Sequence, residues 1–373
     1  MKFTCEKAAL ADAISTASRT VAIKSTIPAL EGLLIETLGA EAVISGYNLK
    51  TGIRTRLDAV VDESGSIVLN AKLFGDIVRK LPDDTLCFEC GEDFMVHISC
   101  GMSSFDIMGT SSEDYPELPG VDTLEKVSIE EGVLKELISE TLFAVSTNEA
   151  RPIHTGSLFE IEGGVLTVVS VDGFRLALRR EKLESAGEDK VSFVVPGSAL
   201  SEVEKIATES EEPATICLGE KHIMFIIGST ELVSRRLEGE FLDYNKSIPA
   251  AGKICVSVNR RELGSVIERI SLLISEKYKS PVRCRFMDGT LRVSTATALG
   301  KAVDECSIDG DGEGLEIGFN NRYLLDALKA APADELRLQL TSPIAPCVLL
   351  PADEEDKSFV YLILPVRIRS EEE

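Results

Sequence analysis

Apolar and polar positions alternate most clearly along residues 167–180, TVVSVDGFRLALRR. Val168, Val169 and Val171 form a β-branched run, which favours a strand. Asp172-Gly173 marks a turn, because glycine takes a positive φ freely and aspartate bonds nearby backbone. Phe174, Leu176 and Leu178 then alternate with Arg175, Ala177 and Arg179, predicting a second strand with one apolar and one mixed face. The stretch therefore reads as a β-hairpin with a charged outer face. Arg175 stands out, a cation just past the turn between bulky apolar neighbours. An arginine there either holds the loop through carbonyl groups or rims a pocket.

The same layout recurs. Hairpin glycines fall at Gly39, Gly163 and Gly289, which are 124 and 126 residues apart. An apolar strand end followed by Asn or Pro opens an amphipathic segment at Leu69-Asn70, Val195-Pro196 and Phe319-Asn320, 126 and 124 residues apart. Two independent markers with one period indicate three internal repeats of ordinary domain size. The boundaries read as 1–122, 123–251 and 252–373.

Each repeat carries two helical stripes among short alternating segments. In the first, Leu10, Ile14, Ala17 and Val21 predict a helix over 8–21. A second, over about 71–81, buries Leu73, Phe74 and Ile77, leaves Lys72, Arg79 and Lys80 available, and stops at Pro82. In the second repeat Leu134, Leu137, Ile138, Leu142 and Val145 share a face, as do Leu200, Val203 and Ile206. In the third, Asn259 caps a helix carrying Leu263, Val266, Ile267, Ile270, Leu273 and Ile274, and Leu324, Leu325 and Leu328 point inward from another. A single strand is expected over 51–62, and runs 111–120, 240–244 and 248–252 read as linkers. The class is α+β with mostly antiparallel sheets.

Composition narrows the function. No apolar run in the 373 residues approaches the roughly 20 needed to span a bilayer, and the N-terminus lacks a signal peptide's apolar core. Nine cysteines scattered through strand-like runs read as reduced, buried thiols of a cytosolic protein. Cys87 and Cys90 have CxxC spacing, but in a strand they face opposite sides. Net charge is −23, which repels nucleic acid overall and leaves room for a local basic surface. His97 and His222 lie in strand patterns, and His154 sits in a loop with no carboxylate at a triad or metal spacing. Asp304, Glu305, Asp309 and Asp311 fail the EF-hand pattern and read as an acidic hairpin turn. There is no Walker A loop or GxGxxG. No catalytic residues, metal site or cofactor are expected.

Ordered segments over the whole length resemble the bacterial DNA polymerase III beta subunit family, the sliding clamps. They are MKFT at the start, residues 171–177 (VDGFRLA), 241–244 (FLDY), 275–278 (SEKY), 316–320 (EIGFN) and 364–367 (LPVR). The resemblance implies three DNA-clamp domains, each with two helices and antiparallel sheets, and a ring made by two chains head to tail. It implies a non-catalytic processivity factor that encircles duplex DNA and tethers the polymerase. The alternative is a cytosolic repeat-built scaffold that binds proteins without DNA. A ring holds DNA by topology, so weak phosphate contacts suffice and an acidic exterior does no harm.

The family's partner-peptide pocket carries over to Val171, Gly173, Phe174, Arg175, Leu176, Leu242, Lys246, Ser247, Ile344, Pro346, Leu362, Ile363, Leu364, Pro365, Val366 and Arg367. Polymerase alpha subunit, clamp loader and repair proteins insert a short peptide there, typically Gln followed by aliphatic and aromatic residues. Phe174 replaces a frequent His, Leu242 a Pro, Ser247 an aliphatic residue and Pro346 a small polar one, and an acidic extension follows Arg367. The resemblance further implies that Lys24, Lys72, Arg79, Lys80, Asn148, Arg151 and Lys277 face DNA. It implies a dimer interface of Phe105 and Ile107 against Leu272 and Leu273, a cytoplasmic location, and no membrane partner.

Overall fold

The computed structural model describes residues 1–123, 125–183, 190–250, 252–275 and 277–368. Most of the acidic extension, residues 369–373, lies outside them. The first repeat runs β1 (Lys2–Glu6), α1 (Lys7–Ala17), β2 (Gly32–Leu38), β3 (Glu41–Tyr47), β4 (Thr51–Asp58), β5 (Val60–Glu63), β6 (Ser66–Asn70), α2 (Ala71–Lys80), β7 (Thr85–Cys90), β8 (Met95–Cys100) and β9 (Ser103–Met108). The second runs β10 (Glu125–Glu130), α3 (Glu131–Leu142), β11 (Gly156–Glu162), β12 (Val165–Val171), β13 (Arg175–Lys182), β14 (Val191–Pro196), α4 (Gly197–Ile206), β15 (Pro213–Leu218), β16 (His222–Ile227) and β17 (Thr230–Arg235). The third runs β18 (Ile254–Asn259), α5 (Arg260–Ser271), β19 (Val282–Phe286), β20 (Asp288–Thr297), β21 (Gly300–Asp311), β22 (Glu316–Phe319), α6 (Asn321–Ala330), β23 (Glu335–Leu340), β24 (Cys347–Pro351) and β25 (Phe359–Ile363).

Asn70 and Asn320, which marked repeats, are helix caps, and so is Asn259. The Asn70 side chain accepts from Leu73 N at 2.9 Å, Asn259 from Arg261 N and Glu262 N at 3.1 Å each, and Asn320 from Arg322 N at 3.0 Å. Each satisfies amides that the first helical turn leaves without partners. A second threefold feature follows each repeat's last strand. Thr110, Leu237 and Val366 make single antiparallel bridges to Val68, Val194 and Gly318, on β6, β14 and β22.

The chain divides into two compact units, residues 1–135 with 201–236, and residues 136–200 with 237–373. The first holds a five-stranded sheet, β5-β1-β7-β8-β9, and an eight-stranded one, β10-β15-β16-β17-β4-β3-β2-β6. The second holds a twelve-stranded sheet, β14-β11-β12-β13-β25-β24-β23-β18-β21-β20-β19-β22. These units cut across the repeats because strands pair at the seams. In the first unit β17 pairs antiparallel with β4, Leu232 opposite Ile53, and the hydroxyls of Thr230 and Thr55 lie 3.1 Å apart. In the second unit β25 pairs antiparallel with β13, Leu362 opposite Leu176.

Several sequence expectations need correction. The strand expected over 51–62 is two, because Val60 and Val61 leave β4's sheet to pair with β1. The helix expected to reach Val21 ends at Ala17 and tightens into a 3-10 turn, Ser18–Thr20, where the Thr20 hydroxyl donates to Gly46 O at 2.9 Å. Leu73 is 50% exposed on α2, and Ile206 and Leu325 are only half-buried. Through residues 175–179, strand β13 has no exposed charged face. Leu176 and Leu178 join one buried cluster and Ala177 the other, so both faces of the strand are covered. Arg179 on that strand is largely buried against Glu140. Asp304, Glu305, Asp309 and Asp311 lie in β21 rather than in a turn. All nine cysteines are free, but Cys87 and Cys90 are half-buried and Cys255 is exposed.

Candidate functional site

The hairpin turn at residues 172–175 lies within the second unit, where buried and exposed apolar side chains surround it. The Asp172 carboxylate accepts from Phe174 N at 2.8 Å and Arg175 N at 3.0 Å, closing the turn locally. Gly173 has φ 92°, a conformation that side chains with a Cβ rarely adopt. Phe174 is thereby carried on the tip, 59% exposed. Phe174 O accepts from Leu364 N at 2.8 Å, which ties the segment after β25 to the turn. Two residues on, Val366 N donates to Gly318 O at 2.7 Å.

Val171, Leu176 and Leu362 are buried in one aliphatic cluster with Tyr244, whereas Ile363, opposite Arg175, is buried in the other cluster. Leu242, Leu364 and Val366 are large apolar side chains left exposed, and Pro365 is half-buried between the last two. Ile344 stands on the loop before β24 at 81% exposure, with half-buried Pro346 after it. Lys246 ends a 3-10 turn, Tyr244–Lys246, and Ser247 follows it. Lys246 reaches Asp243 at 2.8 Å and holds that carboxyl below its usual range, while Ser247 N donates to Tyr244 O at 3.0 Å. Tyr244 is buried and donates its hydroxyl to Glu160 at 2.8 Å; burial first, and then Glu160, push the phenol up to about 12. Arg367 is exposed.

Arg175 does not hold the loop through carbonyl groups. It meets carboxylates, donating from Nε to Asp172 at 2.9 Å and from Nη1 to Asp326 at 2.6 Å. Its guanidinium also lies 4.5 Å from the Tyr323 ring centroid and 5.3 Å from that of Phe143. Tyr323, Asp326 and Phe143 were missed by the sequence reading. Tyr323 and Asp326 are spaced i, i+3 on α6, which puts them on one helix face beside the inward Leu324. A cavity of about 480 Å³ is lined among others by Ile274, Pro281, Phe319, Asn320, Tyr323 and Val366, the last of these a residue of the expected pocket.

The residues expected to face DNA fall in both units. In the first, Lys24 is exposed in a loop, and Lys72, Arg79 and Lys80 are exposed on α2, with Arg79 near Asp76 at 3.4 Å. In the second, Arg151 and Asn148 are exposed in the loop after α3, and Lys277 lies 5.3 Å from the Tyr278 ring. Phe105 is 41% exposed on β9, where Ile107 is half-buried; Leu272, just past α5, is 83% exposed, and Leu273 is half-buried. Burial and Arg151 both lower the basicity of His154, which packs edge-on against Phe241. Among the described residues no group of three or more His, Cys, Asp or Glu is placed to hold a metal ion. No helix of the described residues is long and apolar enough to cross a membrane.

Comparison with known proteins decides the family. Residues 1–119 match the N-terminal domain of the DNA polymerase III beta subunit, residues 128–243 its central domain, and residues 245–367 its C-terminal domain. The chain belongs to the DNA polymerase III beta subunit family. It is 32% identical to the beta sliding clamp of Staphylococcus epidermidis over 98% of this chain and 99% of that one. A DNA polymerase III beta subunit structure from Eubacterium rectale superposes with a TM-score of 0.93 at 35% identity, covering 99% of this chain and 100% of that one. The DNA polymerase sliding clamp of Bacillus subtilis gives 0.93 at 31% identity with the same coverage. As a beta subunit, the chain is built of three clamp domains and acts in DNA replication as the processivity factor of DNA polymerase III, a non-catalytic role.

Proposed function

We propose that two copies of this chain close head to tail into a ring around duplex DNA, with clamp domains at 1–122, 123–251 and 252–373. The observation that carries the ring is the repeated seam. β17 joins β4, and β25 joins β13, in the same antiparallel manner. The third set of equivalent strands is β9 and β21. Among the described residues β9 pairs only with β8, and residues 300–304 of β21 pair only with β20. Phe105 and Met108 on β9, and Val303 and Leu272 on or near β21's side, are exposed apolar groups. Unpaired strand edges bearing apolar side chains invite a partner strand. Joining β9 of one copy to β21 of another, twice, completes the series, with Ile107 and Leu273 at its margin.

In this reading Lys24, Lys72, Arg79, Lys80, Asn148, Arg151 and Lys277 touch the duplex weakly and without sequence preference. The groove of Val171, Gly173, Phe174, Leu176, Leu242, Ile344, Leu362, Leu364 and Val366 takes the short peptides of the polymerase alpha subunit, the clamp loader and other clamp-binding proteins. Its exposed aliphatic and aromatic side chains support an apolar linear motif rather than a charged one. The protein works in the cytoplasm, where nine free thiols are stable. Sedimentation of the purified chain tests the ring first. A dimer at micromolar concentration is expected, and a monomer throughout contradicts it.

A further inference from the structure

We propose that the first seam, where β17 meets β4, is a second docking site: its rim of Lys50, Lys221 and Arg235 takes an acidic linear segment of a partner protein. The inference rests, for its comparison, on the reading of the second seam, where β25 meets β13, as a peptide site. The first seam copies the backbone of the second and replaces its apolar rim with cations. Lys50, Lys221 and Arg235 all lie in the first unit.

The repeat extends to individual hydrogen bonds. The Asn48 side chain accepts from Lys50 N at 3.0 Å and Thr51 N at 2.9 Å, as Asp172 does from Phe174 N and Arg175 N. Leu49 has φ 70° where Gly173 has φ 92°. Lys50 O accepts from Arg235 N at 3.3 Å, as Phe174 O does from Leu364 N. Lys50 therefore takes the place of Phe174 on the turn tip, and Arg235 that of Leu364. His222 lies directly opposite Arg235 on β16, and Lys221 precedes it. Lys50, Lys221 and Arg235 are exposed. The basicity of His222 is lowered by burial first, and then by Arg235 and Lys221, the mark of a positive local field. The floor differs as well. The second seam sets Leu176 opposite Leu362, and the first sets Gly52 opposite Val233. Leu118 fills the space over Gly52, where a Cβ would stand 2.9 Å from its side chain. Val169 and Leu178, paired in the second unit, give way to Ser45 and Arg54, whose Oγ and Nε are buried with no hydrogen-bond partner among the described residues. An apolar anchor has no open floor to enter, so a ligand meets the exposed cations. Leu49, 51% exposed beside Lys50, adds one apolar contact. Carboxylates flanked by aliphatic side chains match that mix, whereas a phosphate backbone leaves Leu49 without a partner. The net charge of −23 repels acidic segments from the surface at large, which makes the rim selective.

Fluorescence anisotropy tests this with the full-length protein and a labelled peptide of alternating Glu and Leu. The peptide is expected to bind, less tightly as salt rises, and its Gln–Leu counterpart to bind about tenfold more weakly. Lys50→Glu combined with Arg235→Glu should weaken the Glu–Leu peptide by about tenfold or more, while the dimer and the binding of a polymerase-derived peptide stay as in the parent. Lys50→Gln with Arg235→Gln should give a smaller loss in the same direction, and carries the test if the Glu pair fails to fold. Lys182→Glu with Lys253→Glu, the same change of charge on exposed residues of the second unit, should leave the Glu–Leu peptide bound as by the parent. No binding of that peptide, equal binding of the Gln–Leu one, or an equal loss in the Lys182 and Lys253 variant overturns the proposal. So does displacement of the peptide by a duplex oligonucleotide at lower concentration than by unlabelled peptide, which makes the rim a phosphate site. Leu364→Ala reads the second seam separately. If it binds the polymerase-derived peptide as the parent does, the peptide reading there fails, and the first-seam outcomes are judged on their own.

Discussion

At the residue scale, backbone packing decides which positions resist a larger side chain. A Cβ on Gly46 would lie 2.0 Å from Ala17 O, a backbone atom, and Gly46 O already accepts from Thr20. Gly46→Ala should therefore lower stability by about 2 kcal/mol or more, read as a fall in denaturant midpoint with an unchanged slope. Leu364 offers a contrast, since it is partly exposed and its amide holds the turn at Phe174. Leu364→Ala should keep the fold and dimer but weaken a polymerase-derived peptide by on the order of 1–3 kcal/mol, measured by calorimetry. Arg175 was legible as unusual, because a cation between apolar residues after a turn is. Its partner Asp326 was not, since 151 residues separate them and no local pattern joins them.

Acid behaviour also belongs at this scale. Asp83, Asp243, Asp304 and Asp334 are all held below the ordinary carboxyl range, chiefly by hydrogen bonds from Lys7, Lys246, Arg269 and Arg260. A depressed folded value means that the unfolded chain binds more protons, so the contribution is present above the unfolded value near 4 and fades as pH falls through the folded one. Thermal stability should drop as pH falls below about 4, and Asp304→Asn should make that drop shallower. An unchanged profile in the variant would show that the Arg269–Asp304 pair contributes nothing there.

At the scale of elements, the repeat was readable because it is written in local chemistry. Turn glycines and Asn caps need only their neighbours, and Asn70, Asn259 and Asn320 cap as their positions suggest. The seams were not readable. Strands β4 and β17, or β13 and β25, show in sequence only that they are strands, and which edge meets which is a matter of topology. The same limit hid the exposure of Leu73, which apolar periodicity assigned to the core. The open edges of β9 and β21 lead to a prediction. Leu272→Ala combined with Leu273→Ala should yield a folded monomer, and Phe105→Asp should do so alone by placing a charge in the apolar seam. Either variant remaining dimeric at micromolar concentration, by sedimentation, would place the interface elsewhere.

At the scale of the whole molecule, a chain of net charge −23 acts on DNA without being attracted to it overall. The proposed encirclement would reconcile the two, since a closed ring need not bind phosphate tightly. Neutralising Lys24, Lys72 and Arg79 together should weaken direct DNA contact and loading while leaving dimer and peptide binding intact. The measurement that tests the central claim most directly is retention on nicked circular duplex DNA after loading by a clamp loader. The account predicts that the protein stays on the circle through high salt and leaves when the DNA is linearised. Release from the intact circle by salt alone, or persistence on the linear form with free ends, would contradict it.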